Sequence, residues 1–99
     1  MVSVFSDNVN VNHVFGIVKR VKKTEKVTKY ITSYGLKHLV EKLLAIETND
    51  QVSYVTNEEL TEAMILAGFK AQKTWNGSPN FHFNVSKKSL NIVFDQVLR

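Results

Sequence analysis

The chain contains no cysteine. That excludes disulfides, thiolate metal sites and cysteine nucleophiles, and it suits a reducing compartment, so a cytoplasmic location is expected. Glycine and proline are scarce, at four and one. No Gly/Pro-rich linker, internal repeat or low-complexity tract divides the 99 residues, and a single domain over 1–99 is expected. No apolar run approaches the roughly 18 residues a membrane span needs. The opening "MVSVFSDNVNVNHVFG" has no basic region leading into a long apolar run, so neither a signal peptide nor a membrane partner is expected.

Catalytic signatures are missing as well. His13, His38 and His82 lie in three separate segments, with no H-x-H, H-E-x-x-H or paired carboxylate beside them. Nothing like G-x-S-x-G places a serine nucleophile. "GLKH" and "NGSPN" lack the repeated glycines that let several backbone N–H groups converge on a phosphate. The residues therefore point away from an enzyme, a metal site and a bound cofactor.

What is present is charge, unevenly spread. Residues 1–30 carry six basic groups against two acidic, while the remainder carries seven of each. The whole excess of +4 thus sits in "KRVKKTEKVTK". Such a run either binds phosphate or forms a solvated face.

Apolar spacing outlines the elements. Val11, Val14, Phe15, Val18 and Val21 recur at helical intervals and predict a helix near 11–22, capped by Asp7 or Asn10. Valine is a mediocre helix former, and "NVNVNHV" also alternates like a strand. Leu36, Leu39, Val40, Leu43 and Leu44 predict a helix over 33–46, with Ser33 placed to cap it. Thr56-Asn57-Glu58-Glu59 matches a capping box that opens a helix over 56–67, with Val55 and Leu60 as its staple. Gly68 suits the left-handed residue that ends a helix, and Phe69 can fold back on the last turn.

A β-hairpin is predicted over 69–85, because "FKAQKTW" and "NFHFNV" alternate and Asn-Gly lies between them. Ser78-Pro79 lengthens its loop. Phe69, Ala71, Phe81 and Phe83 should point inward, leaving Lys70, Gln72, Thr74, Asn80, His82 and Asn84 outward. Trp75 is either a core plug or an exposed anchor for a partner. A last helix over 87–98, capped by Ser86, carries Leu90, Val93, Phe94, Val97 and Leu98 toward the core or toward a second copy in a homodimer.

The class is therefore α+β, mostly helical: three helices, a hairpin and a helix. Two helices followed at once by a hairpin have the layout of a winged helix-turn-helix, whose third helix and hairpin wing face DNA. The connection "ETNDQVSYV" is longer than the turn of a simple helix-turn-helix. The pattern "SYGLKHLVEKLL … YVTNEELTEAMILAGFK … SPNFHFNVS", over residues 33–86, resembles small phage and mobile-element proteins of unassigned role. The resemblance implies a phage, plasmid or island setting, in which small proteins regulate DNA or disable host machinery. It supplies no catalytic residues.

Two functional classes follow. A DNA- or RNA-binding protein would hold phosphates with Lys19, Arg20, Lys22, Lys23, Lys26, Lys70, Lys73, Lys87 and Lys88, and approach bases with Asn80, His82 and Asn84. An inhibitor of a host nucleic-acid-processing protein would instead present Glu58, Glu59 and Glu62 as phosphate stand-ins, with Trp75 as an anchor. Those carboxylates lie on the would-be recognition helix, where they repel a phosphate backbone.

Overall fold

A computed structural model describes residues 8–99. The elements run α1 (Val9–Val18), α2 (Ser33–Glu47), α3 (Asn57–Leu66), β1 (Ala71–Lys73), β2 (Phe81–Phe83), α4 (Lys87–Val93) and α5 (Asp95–Leu98). β1 and β2 form an antiparallel hairpin that pairs Ala71 with Phe83 and Lys73 with Phe81. The α+β, winged-helix-like order expected from the sequence is present.

Both ends of α3 form as their local chemistry dictates. At α3 the Thr56 hydroxyl accepts the Glu59 N–H at 3.0 Å, and the Glu59 carboxylate accepts the Thr56 N–H at 2.9 Å, closing the capping box. At its other end Gly68 takes φ +88°. The Phe69 N–H then reaches the Met64 carbonyl and the Gly68 N–H reaches that of Ile65, the paired bonds of a Schellman motif. Phe69 is thereby turned into the core.

Other boundaries differ from expectation. The α1 cap is Asn8, whose side chain accepts from the Asn10 and Val11 N–H groups; it is not Asn10, and Asp7 lies outside the described residues. α1 stops at Val18 instead of running to 22. The backbone tightens through Arg20 N–H to Ile17 O and Val21 N–H to Val18 O. Lys22 then leaves the helix axis, because its N–H is taken by the Ser89 hydroxyl at 2.7 Å and its carbonyl by the Ser86 N–H at 2.9 Å. Val21 stays buried, so the apolar period outlives the helix. Thr32, not Ser33, caps α2. The last helix is broken at Phe94 (φ −101°, ψ 21°), which leaves Leu98 exposed.

The core is one continuous cluster. α1 contributes Val11, Val14, Ile17 and Val18; α2 contributes Leu36, Val40, Leu43 and Leu44; α3 contributes Leu60, Ala63 and Met64. Phe83, Val85, Leu90 and Phe94 close it from the hairpin side. α1 packs chiefly against α3, and α5 returns onto α2. No helix among the described residues is long and apolar enough to cross a membrane.

Candidate nucleic-acid interface

The basic run does not hang free. Between α1 and α2 it lies along the outer edge of β2, in antiparallel bridges at Lys23–Val85 and Thr32–His82. The Thr24 N–H donates to the Asn84 carbonyl at 2.8 Å and the Thr28 N–H to that of Phe83 at 3.1 Å. The Thr28 hydroxyl lies 3.2 Å from the carbonyls of both Phe83 and Val85. β2 is therefore flanked on both edges, by β1 and by the basic segment. The stretch before α2 thus packs against the hairpin at both bridges.

Asn84 holds that joint. Alternation placed it outward, but it is 3% exposed. Its side-chain oxygen accepts the Lys70 N–H at 2.6 Å and its amide donates to the Thr24 carbonyl at 2.8 Å. One side chain thus ties β1's leading residue to the basic segment across β2, so Asn84 is a bracket between strands and has no free edge for a base. Phe83, Asn84 and Val85 are all buried in succession, which an alternating strand with one solvated face cannot do.

The cations gather around this joint. Lys23 Nζ lies 4.6 Å from the centre of the Phe69 ring, beside Gly68. Lys70 Nζ donates to the Glu25 carbonyl at 2.8 Å. Lys87 Nζ lies 4.9 Å above the Tyr30 ring. Lys22 and Lys88 line one open cleft of about 360 Å³, with Arg20, Ser86, Ser89, Ile92 and Val93. Lys26 is exposed beside them in the chain. Lys22, Lys23, Lys26, Lys70, Lys87 and Lys88 therefore lie on the basic segment or on the hairpin and α4 that it packs against, although they come from three parts of the sequence.

Other candidates are engaged within the fold or lie apart. Arg20 grips Glu47 with two hydrogen bonds of 2.7 and 3.0 Å, and its Nε donates to the Gly16 carbonyl. Hydrogen bonding to Glu47 raises the Arg20 pKa, and the same bond is the chief cause of the lowered pKa of Glu47. Arg20 chiefly clamps the end of α1 to the end of α2. Lys19 sits at the end of α1 near the Phe15 ring. Lys73 is exposed at the far end of β1.

Asn80 and His82 are half-buried. The Asn80 carbonyl accepts from the Thr74 N–H, and His82 Nδ1 is 3.3 Å from the Ile31 carbonyl. Ser33, free of the capping role, accepts the Phe81 N–H at 3.0 Å and so docks α2 on the wing. The loop 74–80 turns through Gly77 at φ +91°, with the Ser78 N–H bonded to the Trp75 carbonyl. Ser78 is buried in place of Trp75, and its hydroxyl accepts from the Thr74 hydroxyl and the Asn80 N–H. Trp75 is 64% exposed, so it is not a core plug.

α3 presents a different surface. Glu58, Glu62, Ile65 and Leu66 are exposed along it. Glu59 is not among them. Beyond the capping box its carboxylate accepts Asn8 Nδ2 at 2.9 Å and Asn10 Nδ2 at 2.8 Å, fastening α3 to the start of α1. Burial opposes its ionisation, but the hydrogen bonds from Thr56, Asn10 and Asn8 outweigh that and hold its pKa below the ordinary carboxylate value. Glu59 is therefore already occupied within the fold. No group of three or more potential metal ligands comes together among the described residues.

Sequence reasoning missed Tyr30, Ser89 and Ile92, which border the cation cluster. Their signal was only the proximity of Tyr30 to the basic run and of Ser89 and Ile92 to Lys88. No protein-family model, no curated protein and no solved structure matches the chain.

Proposed function

We propose that this protein is a non-enzymatic, regulatory nucleic-acid-binding protein that contacts phosphates with the face around the wing base. That face is built from Lys22, Lys23, Lys26, Lys70, Lys87 and Lys88. The observation that carries the reading is the bracing of the basic segment onto β2. A solvated basic linker needs no such anchoring, whereas a surface that must match a phosphate backbone gains from fixed cations, whose ordering is complete before binding. The resemblance of residues 33–86 to small phage and mobile-element proteins suits a regulatory role. Insertion of α3 into a major groove is disfavoured by Glu58 and Glu62, whose carboxylates would repel the phosphate backbone. A fluorescence-anisotropy titration of labelled DNA and RNA at low salt tests the proposal. Micromolar binding that weakens steeply with salt supports it; no change at tens of micromolar protein sinks it.

The second reading, a protein partner, is favoured by one surface: the exposed Glu58, Glu62, Ile65 and Leu66 on α3. Such a partner would offer a basic groove with an apolar floor. Glu59 cannot contribute to it, and Trp75 belongs to it only if the wing tip reaches the same partner. Enrichment of one host protein on immobilised chain, abolished by Glu58→Lys with Glu62→Lys, would favour this reading over the first.

A further inference from the structure

We infer that the wing-base face takes single-stranded nucleic acid in preference to duplex, seating one unstacked nucleotide in the cleft beside α4. The inference rests on the nucleic-acid reading above and names its substrate class.

The cleft has the mixed chemistry of a nucleotide site. Lys22 and Lys88 supply its cationic rim, while Ile92 and Val93 supply an apolar wall. Ile92 is 68% exposed, an unusual position for a large aliphatic side chain ringed by cations. A duplex rewards only half of this arrangement. Its phosphates would meet the lysines, but its bases are stacked inside, and its convex surface cannot fill a concavity of about 360 Å³. Small-molecule sites begin at roughly 300 Å³, so the cleft suits one base and its sugar. The apolar wall would cover the base, and the rim would hold the flanking phosphates.

Tyr30 supplies a second base-sized surface. It is exposed, its hydroxyl donates to Asn91 Oδ1 at 3.3 Å, and the Lys87 ammonium rests on its ring. Lys87 and Asn91 lie one turn apart on α4, as do Lys88 and Ile92, and the two pairs occupy adjacent strips of that helix. Tyr30 and the cleft therefore flank the same helix. A strand crossing α4 would stack one base on Tyr30 as Lys87 moves to its phosphate, and place a neighbouring base in the cleft. Alternation of aromatic or apolar platforms with lysines is the general device for holding single strands without reading sequence.

The test compares a labelled oligothymidylate of about 20 nucleotides with a duplex of equal length, at equal salt. The single strand should bind more tightly. Tyr30→Ala and Ile92→Ala should each weaken it by about tenfold and change duplex binding by about twofold or less. Tyr30→Phe keeps the ring and loses only the Asn91 contact, so it should retain the affinity. Both positions are exposed, and an unchanged melting temperature verifies the fold of each variant. Equal or tighter binding of duplex would overturn this inference and leave the broader proposal standing. Binding of neither probe would overturn both.

Discussion

Two faces of this molecule lie on either side of Gly68. One is the outer surface of α3, the helix that a winged helix-turn-helix would press into DNA. The other is the wing base, where a loop between α1 and α2 meets the hairpin. α3 exposes two carboxylates and two aliphatic side chains. The wing base collects lysines from residues 22–26, 70 and 87–88. The topology nominates the first face and the electrostatics nominate the second. Fold order alone therefore does not locate function; the side chains a given element carries outward decide it.

Mutations can break this division, and the largest expected effect falls on the joint of the wing base. Asn84→Ala leaves the part-buried N–H of Lys70 and the part-buried carbonyl of Thr24 without their partner. It should cost about 3 kcal/mol of stability, read as a shift in the urea midpoint. It should also release the basic segment, so nucleic-acid affinity falls even where the variant is folded. A loss of less than about 0.5 kcal/mol would mean the bracket is dispensable.

Next comes the charge itself. Lys22→Glu with Lys88→Glu should weaken nucleic-acid binding by about 30-fold and lower the salt slope by about 2. Both side chains are exposed, so melting should barely change. Unaltered affinity would move the interface elsewhere.

Glu59 separates the two faces in a smaller way. Its pKa is lowered in the folded state, so the unfolded chain binds more protons and stability rises with pH through the acid range. Its contribution is complete above the ordinary value of 4.5 and is lost as the pH falls through the lowered folded value. Glu59→Gln should cost about 1 kcal/mol at neutral pH and flatten the acid limb of the stability profile. Glu41 and Glu47, whose pKa values are also lowered, should preserve part of that limb.

The smallest effect belongs to α3's outer face. Glu58→Gln with Glu62→Gln should alter stability by no more than about 0.5 kcal/mol and nucleic-acid affinity by about twofold or less. A large loss of affinity in that variant would reverse the assignment of the two faces.

What the sequence made legible was local. The capping box at Thr56–Glu59, the Gly68 stop and the Asn-Gly loop each depend on residues within a few positions of one another, and each is present. So is the stripe of α2, because its period is set by one helix against one core. The misread features depend on distant partners. The end of α1 is set by Ser86 and Ser89, more than sixty positions away. The same partners, with the Lys23–Val85 bridge, lay "KRVKKTEKVTK" against the hairpin where a helical tail was expected. Asn84 is inward because a third chain segment supplies a polar partner that alternation cannot anticipate. For the candidate site, the lysines were visible as charges but their grouping was not. Tyr30 and Ile92 carried no signal beyond their proximity to lysines, since a lone tyrosine and an isoleucine in an apolar-rich helix read equally well as core.

The most direct measurement is an amide chemical-shift map of the 99-residue chain during titration with an oligonucleotide. Perturbations should cluster at residues 22–30, 70 and 86–92, and spare 58–66. Perturbations concentrated on 58–66, with the wing base silent, would contradict the central claim that the braced basic face is the binding surface.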